Sequence, residues 1–250
     1  ALAVTKLWHE FGHALTCRYF GAACHEMGVM LLVFSPTMYC DVSDAWRLPS
    51  RWERMAIAAA GMGAELVLST VALVVWWCTQ PGLVHYLMLN TVFVTTLSTV
   101  VFNANPLLRY DGYYILSDWL GIPNLRAKAD RLLQRTFSRG CLGIEPFPDP
   151  LQPAGGQFWL GLYAVSAQVY GWFVTGGILW FLYSWLKPYG LQSLGQALAV
   201  GSLAGIAWQG TTTMTKLVRQ PRNGPVKRWR PIVCSLALCA VLAGLACWPI

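Results

Sequence analysis

The stretch LWHEFGHAL, residues 7–15, sets two histidines and a glutamate into a run that otherwise reads as membrane helix. Polar side chains are costly at that depth and are usually kept for a reason. On a helix, His9 and His13 stand four residues apart and project from one face. Both imidazoles can therefore share one metal ion, with Glu10 beside them. In a soluble protein an accidental pentapeptide would be a serious alternative. In an apolar helix it is weaker, because burying three polar groups carries a penalty that a bound metal offsets.

The surrounding composition sets the context. Of 250 residues, 56% are hydrophobic and only 12% charged, which is far too apolar for an ordinary soluble domain. The chain reads as an α-helical polytopic membrane protein. Its net charge of +7 does not point to nucleic acid, because the basic residues cluster between apolar runs, where the positive-inside bias puts them on cytoplasmic loops. The cysteines (Cys17, Cys24, Cys40, Cys78, Cys141, Cys234, Cys239, Cys247) form no C-x-x-C pair and read as small apolar residues. The sequence starts at Ala1 and stops at Ile250 inside apolar runs, so a piece of a longer protein is expected.

Runs of about 20 apolar residues suffice to cross a hydrocarbon core about 30 Å thick. They predict about six transmembrane helices: residues 1–20 as the end of one, then 52–78, 83–102, 158–186, 191–208 and 231 onward. The turn TQPG folds 52–78 and 83–102 into a helical hairpin. Residues 27–39, MGVMLLVFSPTMY, are too short to cross and rich in strand formers, which predicts a small β-hairpin or re-entrant segment. Pro106, Gly112 and Pro123 break the next stretch. An amphipathic interfacial helix follows at 125–137, carrying Arg126, Lys128, Arg131 and Arg135, and then a Pro/Gly-rich loop at 140–157. The expected domains are a membrane core over 1–120, an interfacial helix and loop over 121–157, and further helices with a basic linker over 158–250. Placing the loops at 18–54, 109–139 and 216–230 inside leaves TQPG and KPYG outside, and the alternation holds for every span.

Zinc held by two neutral imidazoles needs a third protein ligand and an open position for water, whose pKa it lowers to about 7. Glu10 would take the proton and pass it to the leaving amine. The third ligand must lie at the same depth. Asp111, in NANPLLRYDGYY, directly follows a span, precedes a glycine that permits a sharp turn, and sits on the same cytoplasmic side as the His9 helix. A competing reading makes Asp111 a helix cap or a partner of Arg109. Glu65, mid-span, is either a supporting or proton-relaying group near zinc or a carboxyl bonded to other helices, with Ser69 or Thr70 as partners; the sequence favours neither. His25 and His85 read as solvated residues near the interfaces.

These residues resemble the site-2 protease class of intramembrane zinc metalloproteases, peptidase family M50. Its signatures are H-E-x-x-H in the first core helix and N-x-x-P-x-x-x-x-D-G at the end of the third. Here they stand as His9, Glu10 and His13 and as Asn103, Pro106, Asp111 and Gly112, over roughly residues 1–120. The resemblance implies one Zn2+ per chain on His9, His13 and Asp111, Glu10 as general base, and Asn103 positioning or polarising the scissile carbonyl. It also implies that the segment at 27–39 pairs with an extended substrate, and that the small residues of AAAGMGAEL make room for the site. Tyr110 stands where leucine is commoner, and TQPG leaves no room for a PDZ-like domain between the second and third helices. The wording NPLLRYDGYY and the extra spans look more like a bacterial peptide zinc metalloprotease subgroup associated with secretion or efflux adaptors.

The expected function is hydrolysis of peptide bonds in membrane-embedded or membrane-associated substrates near the cytoplasmic face of a bacterial inner membrane. The expected partners are the bilayer, a membrane protein or peptide substrate, and a secretion or efflux adaptor. The alternative is a non-proteolytic component of a peptide secretion or efflux system that keeps the fold. The intact Glu10 argues against it, and the spans after residue 158 argue mildly for it. A third ligand from Glu145 is a poor option, since that residue lies in a Pro-rich loop.

Overall fold

The computed structural model describes residues 2–32, 35–142 and 156–219. The chain divides into two compact units, Ala1–Asn124 and Leu125–Ile250. In the first unit, α1 (Leu2–Tyr19) gives way to Gly21 at a φ of 79°, a left-handed conformation that glycine adopts at no steric cost. Strands β1 (Met27–Leu32) and β2 (Ser35–Cys40) then pair antiparallel, with Met27 opposite Cys40 and Leu32 opposite Ser35, forming the small hairpin expected there. The Asp41 N–H extends the ladder to the Glu26 carbonyl at 2.8 Å. At this end of the hairpin the Cys24 and Cys40 sulfurs lie 3.4 Å apart, a neighbourhood their reading as scattered apolar residues did not foresee. A short 3-10 turn at Ser43–Arg47 is tied back by Asp44, which accepts from the Ala23 N–H at 3.0 Å and from Arg47 Nη1 at 3.1 Å.

Helices α2 (Arg51–Cys78) and α3 (Leu83–Leu97) make the expected helical hairpin, and α3 continues as a π-helical turn over Ser98–Asn103. Helix α4 (Asp111–Leu120) follows. Gly112, expected to break the chain, lies instead in the first turn of α4. A Cβ there would run into the Ala104 carbonyl oxygen and fall 3.0 Å from that of Asn103, so the glycine serves close approach and not a bend. Gly121 closes α4 in the left-handed conformation, and the Ile122 N–H returns to the Ser117 carbonyl at 3.0 Å. Arg54 of α2 donates to Asp118 at 2.8 Å and to the Leu48 carbonyl at 2.7 Å, which pins α4 against α2.

In the second unit, α5 (Leu125–Phe137) buries Leu125 and Ala129 and packs on α6 (Gln157–Leu186). A turn at Lys187–Tyr189 and a left-handed Gly190 lead to α7 (Gln192–Arg219). That helix runs past the span expected to end at residue 208, because the segment from Gln209 to Arg219 is helical too. No proline interrupts it, and the hydroxyls of Thr211, Thr212, Thr213 and Thr215 return to carbonyls of the preceding turn.

Among the described residues, three helices are long and apolar enough to cross a membrane: Arg51–Cys78, Leu83–Asn103 and Gln157–Tyr189. The six expected spans are not reached among the described residues. Helix α1 carries Lys6, Glu10 and Arg18 within 18 residues, and the second half of α7 is polar. The span expected from 231 onward lies outside the described residues, as do Glu145 and the basic run at 227–230.

Candidate metal centre

The site begins with small residues that let two helices touch. A Cβ on Gly12 of α1 would fall 2.6 Å from the Ala60 carbonyl oxygen and 2.9 Å from Ala64 Cβ of α2, so only glycine allows this approach. The contact lays His9 and His13 across Gly61. His13 Nδ1 lies 2.8 Å from the buried Ile57 carbonyl oxygen, which can only accept, so Nδ1 carries the proton and Nε2 presents its lone pair. His9 is held alike, its Nδ1 3.3 Å from Glu65 Oε1.

The two Nε2 atoms stand 3.1 Å apart. Asp111, the first residue of α4, completes the group, with Oδ2 3.1 Å from His9 Nε2 and Oδ1 3.5 Å from His13 Nε2. Its carboxylate faces the histidines from the first turn of a helix, where negative charge is favoured. Asp111 Oδ2 is buried and has no hydrogen-bond partner among the described residues. The His9 nitrogen beside it has no proton to give while Nδ1 donates to Glu65. Lone pairs and a carboxylate thus converge with no hydrogen between them, an arrangement a cation satisfies. A tetrahedral zinc with bonds of about 2.0–2.1 Å has ligand atoms about 3.3 Å apart, and separations of 3.1–3.5 Å bracket that value. The residues fit a metal taking two nitrogen donors and one oxygen.

A cavity of about 970 Å³ opens beside this group, lined by His9, His13 and Asp111 and also by Met38 and Cys40 of β2. Glu10 lines it, half-buried. Asn103 is buried at its wall, with Nδ2 3.4 Å from Glu65 Oε2 and 3.5 Å from His9 Nδ1. Glu65 is fully buried, and its neighbours are neither Ser69 nor Thr70; the Thr70 hydroxyl donates to the Leu66 carbonyl. Instead Lys6 Nζ approaches Oε1 at 2.9 Å and the Thr99 hydroxyl donates to Oε2. Sequence reading passed over Lys6. A lysine one turn before His9 in an apolar helix was the available signal. His85 lies at the α2–α3 turn, its Nδ1 3.1 Å from the Thr79 carbonyl oxygen.

A family model for peptidase family M50 matches residues 1–219. The chain belongs to peptidase family M50. No curated protein and no solved structure matches it. M50 proteins are membrane zinc metalloproteases, and in this M50 chain His9, His13 and Asp111 form a group that could hold the ion.

Proposed function

We propose that the chain is a zinc endopeptidase of the site-2 protease class that hydrolyses peptide bonds of membrane-embedded or membrane-associated substrates near the cytoplasmic face of a bacterial inner membrane. The observation that carries the proposal is the convergence of His9 Nε2, His13 Nε2 and Asp111 at 3.1–3.5 Å, in a cavity shared with Glu10. Zinc bound by these three residues supplies Lewis acidity and lowers the pKa of water toward neutrality. Glu10, committed to no hydrogen bond among the described residues, takes a proton from the attacking water and returns it to the leaving nitrogen. Asn103 carries two amide hydrogens, and the one not turned to Glu65 serves the scissile carbonyl oxygen.

Strand β2 lines the cavity and offers an edge to an extended substrate. A substrate helix has its amides already paired, so it must unwind before it can pair there. Sequences with small or helix-breaking residues at the scissile position are cut faster. The cytoplasmic placement rests on the Lys/Arg-rich loops flanking α1 and α4. A secretion or efflux adaptor as partner rests on α6 and α7, which belong to the unit that does not hold the site.

The test uses the full chain in liposomes with a single-span peptide carrying a Gly-Pro pair in its span. Wild type is expected to hold one zinc and cut the peptide, and Glu10→Gln to hold zinc without cutting. His13→Ala and Asp111→Ala are expected to lose the metal. Zinc-loaded wild type that is as inert as Glu10→Gln over a panel of such peptides would favour the non-proteolytic component. A folded wild type that takes up no supplied zinc would defeat the metal reading altogether.

A further inference from the structure

Lys6 has no place in the H-E-x-x-H pattern, yet it lines the same cavity and reaches the centre through Glu65. Its Nζ lies 2.9 Å from Glu65 Oε1 and 2.5 Å from Ser98 Oγ. That same Oε1 is 3.3 Å from His9 Nδ1, so one oxygen joins the lysine to the ring of a metal ligand. The other oxygen accepts from Thr99 and Asn103. Glu65 has no solvent exposure, and the Lys6 side chain keeps 30% of its own.

The π-helical turn at Ser98–Asn103 makes this convergence. Residues five apart in an α-helix point about 140° away from each other, whereas a π-turn brings them onto one face. Ser98 and Asn103 consequently reach the Lys6–Glu65 pair together. Three helices meet at this pair: α1 through Lys6 and His9, α2 through Glu65, and the end of α3 through Ser98, Thr99 and Asn103.

We propose that Lys6 is a positioning residue for the metal centre: with Glu65 it holds the His9 ring so that Nε2 faces His13 and Asp111. The proposal rests on the zinc reading above. A carboxylate alone in an apolar span is costly, and the lysine offsets that cost while leaving Glu65 as a strong acceptor for the His9 N–H. An acceptor behind a ligating imidazole fixes its tautomer and orientation and raises its basicity. Lys6 thus supports His9 from its own helix, three residues away, through a side chain of the neighbouring helix.

The experiment is a Co2+ titration of the full, metal-stripped chain in detergent, followed by the cobalt d–d absorption band, with thermal melting alongside. Wild type is expected to bind one cobalt. Lys6→Met is expected to bind about 10- to 100-fold more weakly, the usual loss when support behind a ligand is removed, and with an altered band. The double variant Lys6→Met with Glu65→Gln leaves no orphan charge and folds even where the single variant does not. Its melting temperature returns toward wild type, but its affinity stays low and its band altered, because an amide is a weaker acceptor than a carboxylate. Wild-type affinity and band in the double variant would overturn the proposal. A folded wild type that binds neither cobalt nor zinc removes the metal reading itself, a result distinct from the failure of Lys6 alone.

Discussion

A Cβ placed on Gly61 would lie 2.6 Å from His9 Nε2. The second helix passes the His9 ring with no room for a methyl group. The same atom would also collide with His13 Nε2. Gly61→Ala is therefore expected to displace both rings and lower zinc affinity by about tenfold or more. Gly63, two residues on, has nothing within 4 Å of its would-be Cβ. Gly63→Ala should keep full zinc and gain up to about 1 kcal/mol from helix propensity. Zinc content and thermal melting of the two variants check this pair; equal zinc in both would contradict the packing argument.

Metal removal should be visible in stability as well as in activity. A ligand that binds only the folded chain stabilises it, by about 4 kcal/mol at a thousandfold excess over its dissociation constant. Chelation is expected to lower the melting temperature of wild type and to leave that of His13→Ala unchanged. A chelator-dependent shift of equal size in both would place the relevant metal elsewhere.

The 3.4 Å between the Cys24 and Cys40 sulfurs leaves only a small movement to a disulfide. Burial and the neighbouring Cys24 thiol push the Cys40 thiol up, so the link is expected to form faster as pH rises. Diamide should accept two electrons and two protons from the pair and leave one intramolecular bond across the base of the hairpin. Non-reducing peptide mapping should then show the two cysteine peptides joined, and Cys24→Ser should abolish the link. Persistent free thiols under oxidant would rule the contact out.

Asp44 provides a pH readout outside the helices that cross the membrane. The Ala23 N–H, and then Arg47, hold its carboxyl below the usual carboxylate value. A depressed folded value means that the stabilisation is fully present above the unfolded pKa and is lost as pH falls through the folded one. Asp44→Asn should melt below wild type at neutral pH, and the two curves should converge in acid. A gap that stays constant from neutral pH to about pH 3, below the usual Asp value near 3.9, would show that the charge plays no part.

How much was legible beforehand follows from the reach of each signal. Helical periodicity puts His9 and His13 on one face whatever surrounds them, and metal chemistry narrows the choice of residue types, so this half of the site could be read locally. The hairpin at 27–39 was legible because its length and strand formers leave few other structures. The role of Gly112 was misread because a glycine near a proline looks like a turn, while its actual constraint is the Ala104 carbonyl packed against it. The continuation of α7 beyond residue 208 carried no apolar signal, because its threonines are polar and their hydroxyls are satisfied within the helix.

The sequence by itself determined the histidine pair, the glutamate beside it and the apolar helices of the first unit, because these depend on composition and on spacing within one element. Only the tertiary structure decided what stands behind those histidines. Lys6 meets Glu65 across 59 residues and Ser98 across 92, and the π-turn that brings Asn103 to the same carboxylate has no periodic signature. Side chains that far apart become neighbours only when Gly12 and Gly61 let α1 and α2 close on each other, a distance set by packing and not by pattern.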